Sequence, residues 1–278
     1  MAKNRVQLNR SENGPSASRR GAPRTSPKFH TMLPPERLST GQWVPPWVRH
    51  QHMARYEYAA ALAVDRVVVD VACGNGMCAR HLSEGGARRV DGFDLSPEAV
   101  REATLAAATL ENVCLQVADA ARLPVRDAAY DLFVSFETIE HIDGDRAFLA
   151  EVVRVLKPGG AFLCSTPNRS LLDPGTSIRD KPFNPFHARE YTLEELEPLL
   201  RHYFASVNWL GQSFYGRSYC KILNRIGRFS PKLAVRMHQA RKCLTMPLER
   251  KGLHRPTRLG RRGEPEILIA ICETGVSL

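Results

Sequence analysis

The chain has 278 residues, 43% of them apolar, so it can bury one sizeable core of ordinary globular composition. No apolar run approaches the ~20 residues of a membrane span, and the basic N-terminus lacks the apolar segment of a signal peptide. The seven cysteines include no C-x-x-C pair. This composition argues against a disulfide-rich secreted protein and predicts a cytoplasmic one.

The net charge of +10 is unevenly distributed along the chain. Residues 1–37 carry eight Lys/Arg and two Glu, and residues 213–262 carry fourteen Lys/Arg and one Glu. Residues 38–212 instead have an acidic excess, seventeen cations against twenty-three carboxylates. We therefore predict a disordered basic tail at 1–40 and a folded domain at 41–278 with a basic helical insertion at 213–262.

The predicted elements alternate between strands and helices after an opening helix that Pro45-Pro46 begins, over 47–63. We predict strands near 66–71, 88–93, 112–117, 129–135 and 160–165, and helices near 75–84, 96–110, 143–156 and 192–202. Segments 205–210 and 267–272 are expected to be closing strands. Strand–helix alternation is typical of a parallel, doubly wound sheet with right-handed crossovers.

Helix starts have recognisable signals. Ser96-Pro97 supplies an N-cap and a proline at the first helical position. Asp143 is the expected cap of the helix that follows it, and Thr192-x-x-Glu195 has the spacing of a capping box.

The turn after the first strand has the features of a cofactor site. The apolar run that begins at Val67 is predicted to be a buried strand that ends in an acidic residue, Asp70, and the chain then turns through Gly74 and Gly76. Asp94 ends the next strand, at a spacing that suits a carboxylate binding a ribose diol. Gly74-x-Gly76-x-x-Ala79 also fits a dinucleotide fingerprint. A carboxylate at this turn would repel a pyrophosphate, however, and would attract the ammonium and sulfonium centres of S-adenosylmethionine, so we favour that cofactor over a nicotinamide nucleotide.

Five motifs occur in the order found in class I S-adenosylmethionine-dependent methyltransferases, and the chain resembles that family over about 50–212 and again near 265–274. The motifs are Asp70-x-Ala72-x-Gly74-x-Gly76, the segment 90–96 (VDGFDLS), the segment 116–120 (QVADA) with Leu123-Pro124, the segment 130–137 (YDLFVSFE) and the segment 155–160 (VLKPGG). The resemblance implies a Rossmann-like α/β fold with a mostly parallel seven-stranded sheet, whose antiparallel last strand lies between two earlier strands. Ala72 departs from the family by replacing the first glycine of the turn, which narrows the pocket by one methyl group.

The resemblance also implies a set of cofactor-binding residues. Asp70 and the neighbouring backbone would face the methionine moiety, Asp94 would accept hydrogen bonds from the ribose hydroxyls, and Asp119 would accept one from the adenine amino group. Ionised carboxylates only accept hydrogen bonds, so they match these donors. The predicted cofactor-binding residues are Asp70, Ala72, Cys73, Gly74, Gly76, Asp94, Leu95, Asp119, Ala120 and Phe136.

The acceptor side begins with Glu137 to His141, after the fourth strand, and continues at His187 in a later loop. We predict that His141 is a general base and that Glu137 is a second catalytic residue. Two alternatives stay open for these side chains. His141 could be structural, bonded to Glu140 or capping a turn. The set Glu137, Glu140, His141 and His187 could instead bind Mg²⁺ or another divalent metal, and it resembles the metal site of small-RNA 3′-end 2′-O-methyltransferases.

The segment from Ser165 through Thr192 resembles bacterial methyltransferases that act on sugars, lipid-linked glycans and secondary metabolites. We therefore expect O-methylation of a small-molecule, sugar or lipid-linked acceptor. A metal-dependent RNA ribose 2′-O-methyltransferase and a non-catalytic, S-adenosylmethionine-binding adaptor at a membrane surface are alternatives, and N- or C-methylation also stays open.

The basic insertion predicts a helix whose apolar stripe includes Tyr219, Ile222, Leu223 and Ile226, with cations largely off that stripe. Such a helix could pack on the domain. It could also bind an anionic partner, and the alternatives are nucleic acid, a membrane surface and a phosphorylated substrate. The sequence does not distinguish among these partners, so the expected location is cytoplasmic with a peripheral membrane site as an option.

Overall fold

The computed structural model describes residues 45–245, 255–260 and 263–275. The predicted tail at 1–40 and parts of the predicted insertion, 246–254 and 261–262, lie outside the described residues. The strands are β1 (Val67–Val71), β2 (Arg89–Asp94), β3 (Val113–Val117), β4 (Tyr130–Phe136), β5 (Leu156–Pro167), β6 (Ser206–Tyr215), β7 (Thr257–Arg258) and β8 (Glu264–Glu273). The helices are α1 (Pro46–Ala63), α2 (Met77–Glu84), α3 (Pro97–Ala106), α4 (Asp145–Val155), α5 (Arg169–Leu172), α6 (Leu193–Tyr203), α7 (Arg217–Phe229) and α8 (Pro231–Thr245).

One mixed sheet has the strand order β3-β2-β1-β4-β5-β8-β6-β7. Strands β1 to β5 are parallel, with β1 paired to β2 on one side and to β4 on the other. The chain order reverses between β1 and β4. In open α/β sheets ligands bind at such a switch point, outside the carboxyl ends of the strands.

Alternate residues of the central strands pack into two cores, one on each face of the sheet. Val69 and Phe133 belong to one core, and the adjacent residues Val68 and Leu132 belong to the other. A strand that is buried on both faces needs apolar residues at consecutive positions, which explains the run of valines in β1.

The carboxyl-terminal part of the sheet is antiparallel, as the resemblance implied. Strand β8 lies between β5 and β6 and runs antiparallel to both. The sheet has eight strands and not seven, because the two-residue β7 pairs with Leu210 and Gly211. The chain returning from the insertion thereby covers the free edge of β6, which would otherwise expose unpaired backbone groups.

Two of the three predicted helix caps are confirmed. The Ser96 Oγ accepts a hydrogen bond from the Ala99 N–H, and both hydrogen bonds of the capping box at Thr192 and Glu195 are present. The Asp143 cap was wrong, because α4 begins at Asp145 with Gly144 as its N-cap and no side-chain cap. Asp145, the first residue of the helix, instead accepts hydrogen bonds from Arg189 and Tyr191 across the domain.

Candidate cofactor and acceptor site

The Asp70 carboxylate lies buried near the end of β1, and its Oδ2 accepts no hydrogen bond from the described residues. Burial raises the pKa of Asp70 to about 7, although the Cys78 thiol and the Ala79 N–H, which donate to this carboxylate, lower it. The charge of Asp94 raises that pKa further. A buried carboxylate oxygen without a donor is costly. Asp70 therefore has both the charge and the spare acceptor that an ammonium group requires.

The turn that follows β1 holds three residues in the left-handed region, with φ of +59° at Ala72, +53° at Gly74 and +78° at Gly76. A Cβ on Gly76 would lie 2.8 Å from the Ala103 Cβ, so glycine allows α2 and α3 to pack closely. A Cβ on Gly74 would meet no atom within 4 Å, which leaves open space above the backbone for a ligand. Ala72 is strained, because a left-handed conformation costs an L-residue ~1–2 kcal/mol.

Asp94 joins the end of β2 to this turn. Its Oδ2 accepts from the Gly74 N–H at 3.0 Å and its Oδ1 accepts from the Ser96 N–H at 2.8 Å. Each carboxylate oxygen has a second lone pair, so the two oxygens can also accept from a diol. Leu95, directly after it, is exposed and offers an apolar surface at the same edge.

Asp119 lies in the loop after β3, next to Asp94. The Ala118 N–H donates to the Asp94 backbone oxygen at 3.1 Å, which brings this loop against the end of β2. Asp119 is exposed, and its Oδ1 accepts from the Ala121 N–H at 2.9 Å, while Ala120 is half-buried. Three carboxylates thus lie at or just beyond the carboxyl ends of three adjacent strands. This arrangement fits the ammonium, diol and amino donors of S-adenosylmethionine in turn, and the individual contacts stay predictions.

Phe136, at the end of β4, contacts two residues of α1. Its ring stacks on Tyr56 with the ring centroids 5.6 Å apart, so Tyr56 packs against the end of β4. The Arg55 guanidinium lies 5.7 Å from the same ring and donates to the Gln212 Oε1 at 2.8 Å. Sequence reasoning missed Arg55, because its residue type does not distinguish it from Arg49, the exposed arginine of the same helix.

Glu137 is hydrogen-bonded to β5. The Ser165 Oγ donates to its Oε1 at 2.7 Å, and an Arg55 nitrogen lies 3.8 Å from the same oxygen. Its φ of +51° is left-handed, which marks a tight turn directly after β4. The structure therefore holds Glu137 between α1 and β5, outside the cluster that its neighbours form.

The cluster consists of Glu140, His141 and His187, whose potential ligand atoms lie within 4.8 Å of one another. Glu140 is fully buried, and its Oε2 accepts from the Thr166 Oγ1 at 2.9 Å, whereas its Oε1 has no hydrogen bond within the described residues. Burial and the nearby charge of Glu137 raise the pKa of Glu140 to about 8. Three of the four predicted metal ligands are thus brought together.

His141 is oriented by the loop that carries His187. Its Nδ1 lies 3.0 Å from the Phe186 carbonyl oxygen, and its ring is nearly perpendicular to that of His187, with the centroids 4.8 Å apart. A carbonyl oxygen only accepts, so the hydrogen of the neutral imidazole is on Nδ1 and Nε2 is the basic nitrogen. The geometry fits a general base.

Two sets of contacts fix this loop. The Ala188 and Arg189 N–H groups donate to the Glu140 backbone oxygen at 2.8 and 3.1 Å. The His187 Nδ1 lies 2.7 Å from the Glu190 Oε1. Glu190 was not among the predicted site residues; its position three residues after His187 was the available signal.

A cleft of about 690 Å³ adjoins His187, which is large enough for a small molecule. Its walls come from the loops around residues 178–182 and 187–189. Arg179, Lys181 and Arg189 contribute cations to those walls. The cleft lies on the acceptor side of the sheet, where the sequence predicted that an acceptor enters.

Comparisons with known proteins agree with this fold and with a methyl donor as its cofactor. Residues 69–164 match the family model described as a methyltransferase domain. A probable S-adenosylmethionine-dependent methyltransferase from Mycolicibacterium smegmatis is 41% identical over 156 residues, 55% of this chain and 57% of that protein. A malonyl-[acyl-carrier protein] O-methyltransferase from Hahella chejuensis is 38% identical over 102 residues, 36% of each chain. A norajmaline N-methyltransferase from Rauvolfia serpentina is 32% identical over 116 residues, 40% of each.

A solved structure shows the same fold over most of the chain. It is an S-adenosylmethionine-dependent methyltransferase from Thermotoga maritima, described as a possible histamine N-methyltransferase. The TM-score is 0.54 at 16% identity, covering 82% of this chain and 93% of that one.

The sheet order, the site at its switch point and these matches define the class. The matched part of the chain, residues 69–164, is a methyltransferase domain of the class I S-adenosylmethionine-dependent type, and S-adenosylmethionine is the methyl donor of this class. The chain spans about half the length of the curated relatives it matches, and those relatives include both O- and N-methyltransferases.

Proposed function

We propose that this protein is an O-methyltransferase that acts on a small-molecule, sugar or lipid-linked acceptor, with His141 as the general base. The observation that carries the proposal is the orientation of His141. Its Nδ1 is bound to the Phe186 carbonyl, so Nε2 is the nitrogen that accepts a proton. A base is what an alcohol acceptor needs, whereas a neutral amine does not need one.

In this proposal some residues position the cofactor, and His141 takes part in proton transfer. The bound cofactor supplies an activated methyl group for in-line displacement. Asp70, Asp94 and Asp119 would hold it at the ends of β1, β2 and β3, while His141 Nε2 would accept the hydroxyl proton of the acceptor. Glu140 stays buried behind the imidazole, and its backbone oxygen holds the loop that orients His141.

The cleft beside His187 supports an acceptor with an anionic group. Arg179 and Lys181 are exposed at its wall with one carboxylate, Asp180, between them, and this excess of positive charge attracts phosphate or carboxylate groups. Sugar phosphates and lipid-linked sugars carry these groups next to their hydroxyls. The cleft therefore agrees with the class of acceptor to which the segment 165–192 pointed.

One labelling experiment tests the acceptor class. The full chain is incubated with tritiated methyl donor and a fractionated extract of its host, alongside the His141→Ala variant. We expect base-stable label in the lipid, glycan or small-molecule fraction, and not with the variant. Label in RNA, or equal labelling by the variant, would refute the assignment.

Metal-dependent methylation of an RNA ribose is a second candidate, and the cluster of Glu140, His141 and His187 is the observation that favours it. A carboxylate and two imidazoles can bind a divalent ion that lowers a hydroxyl pKa. A chelator separates the candidates. If His141 is the base, EDTA leaves the rate unchanged. If it is a ligand, EDTA abolishes the reaction and Mg²⁺ or Mn²⁺ restores it.

A further inference from the structure

Helices α7 and α8 carry large apolar side chains that face solvent. They are Ile222, Phe229, Leu233 and Met237, with exposed fractions of 59%, 87%, 50% and 41%. Ile222 and Phe229 are two helical turns apart and so lie on one side of α7, and Leu233 and Met237 are one turn apart on α8. Single exposed apolar residues are common, but four on one helix pair indicate a surface that something covers.

The inner faces of the two helices are already filled. Cys220, Leu223 and Ala234 pack with Leu171 and Tyr215 in a separate small core. A Cβ on Gly227 would lie 1.9 Å from the Pro174 oxygen, so the α7 backbone rests directly on the preceding loop. The helix pair is therefore firmly seated, and its outward apolar residues take no part in that core.

The same surface is strongly basic. Residues 213–248 include no Asp or Glu. Lys221, Arg225, Arg228 and Lys232 are exposed, and in the part of the chain that the structure describes none of them has an ion-pair partner. Unneutralised cations beside exposed apolar side chains are typical of helices that lie in the interface of an anionic bilayer.

A nucleic-acid surface fits these observations less well. Proteins that bind single strands stack bases on exposed aromatic rings. Among the four aromatics of this segment, Tyr215 is buried, Phe214 and Tyr219 are half-buried, and only Phe229 is exposed. The Tyr219 hydroxyl lies 3.1 Å from the His238 Nδ1, inside the packed pair. Exposed aliphatic side chains, in contrast, gain little from phosphates and much from acyl chains.

We propose that α7 and α8 bind the surface of an anionic lipid bilayer, with Phe229 and its apolar neighbours inserted at the level of the acyl chains. Among the described residues no helix is long and apolar enough to span a bilayer, so the attachment is peripheral. The inference goes beyond the proposed reaction and does not depend on it. The Gly175 N–H donates to the Asn224 Oδ1 of α7, so the loop that leads to the acceptor cleft is attached to the helix that we propose binds lipid.

The test is flotation of the full chain with vesicles of phosphatidylcholine, with and without phosphatidylglycerol. We expect binding only to the anionic vesicles. The double variant Ile222→Ser with Phe229→Ser should bind at least about tenfold more weakly, since each buried side chain contributes to the partition. The matched control is Leu105→Ser on α3, where an equally exposed side chain is removed, and it should bind like the parent.

Variants that reverse surface charges provide a second test of vesicle binding. Lys221→Glu with Arg225→Glu should weaken anionic-vesicle binding at least about tenfold. Arg101→Glu with Arg126→Glu reverses the same number of exposed charges elsewhere and should have little effect. Retained binding of S-adenosylhomocysteine by each variant shows that it is folded.

The proposal is overturned if anionic vesicles are not bound, or if the serine variant binds them normally. Binding of a single-stranded RNA oligonucleotide that only the charge variants weaken would also overturn it.

Discussion

The two halves of the site are built in different ways. At the ends of β1, β2 and β3 the functional groups are backbone turns and the carboxylates that follow each strand, and the contacts between them are local to the sheet edge. At the ends of β4 and β5 the functional groups come from segments about 45 residues apart, and the Phe186 carbonyl and the Glu140 backbone oxygen hold them together. In the cofactor half, at β1 to β3, the strand order alone places the functional groups. In the acceptor half, at β4 and β5, their placement also depends on how the loop that carries His187 folds back against Glu140 and His141.

This contrast in construction indicates where specificity resides in the molecule. A cofactor shared by a large class can be bound by features that the fold itself places, namely glycine turns and strand ends. An acceptor that differs between relatives requires a loop that can change without altering the sheet. Mutations in the two halves should therefore affect different measurements.

The largest effect is expected in the acceptor half. His141→Ala should lower kcat by ~10²–10⁴ while leaving the Kd for S-adenosylmethionine unchanged, because the imidazole moves a proton and does not hold the cofactor. His202→Ala removes an exposed imidazole on α6 and is the matched control. The measurement is a methyl-transfer assay beside calorimetric binding. If cofactor affinity fell together with the rate, the two halves would not be separate.

Asp70→Asn, in the cofactor half, should instead change the affinity for S-adenosylmethionine. It keeps the side-chain shape but removes the charge that we predict to face the ammonium group. We expect the Kd for S-adenosylmethionine to rise about tenfold to a hundredfold, the worth of one hydrogen bond to a charged group. Asp65→Asn, an exposed carboxylate before β1, is the control. Unchanged affinity in Asp70→Asn would remove Asp70 from the binding site.

The pH dependence of cofactor binding should follow Asp70. Burial raises its folded-state pKa to about 7 from the ordinary 3.8, so the carboxyl is mostly protonated at pH 6 and mostly ionised at pH 8. Only the ionised form attracts the ammonium, so affinity should fall about tenfold from pH 8 to pH 6. The same shift lowers the stability of the free protein as pH rises from about 4 to about 7, because the folded state holds the proton longer.

The smallest effect concerns the strained turn. Ala72→Gly should raise the free energy of unfolding by about 0.5–1 kcal/mol, because glycine adopts the left-handed conformation without the Cβ clash. Ala128→Gly is a matched control, since Ala128 has a φ of +50° away from the site. Both variants should gain stability in chemical denaturation, and only Ala72→Gly should change cofactor affinity. Destabilisation by both would contradict the strain argument.

Much of the cofactor half could be predicted from the sequence. Asp70, Asp94 and Asp119 each follow an apolar run that becomes a strand, and parallel strands bring their carboxyl ends to one edge. The strain at Ala72 could not be read from its replacement of a glycine alone, because only the backbone angle shows that this position is left-handed.

The acceptor half was predicted only in outline. Glu140, His141 and His187 were singled out by residue type, and the structure brings them together. The sequence did not show that Ser165 holds Glu137, or that Arg55 lies buried between β4 and β6, because both contacts join segments far apart in the chain. The eighth strand was missed for a related reason, since two residues carry no periodic pattern.

The account depends most on the match between the strand-edge carboxylates and a cationic nucleoside. Calorimetric titration of the full chain with S-adenosylhomocysteine at pH 8 and pH 6, repeated with Asp70→Asn, tests that match directly. The account predicts one binding site that weakens about tenfold at the lower pH, and a variant that binds weakly at both pH values. No heat of binding with S-adenosylhomocysteine, together with uptake of NADH, would contradict it.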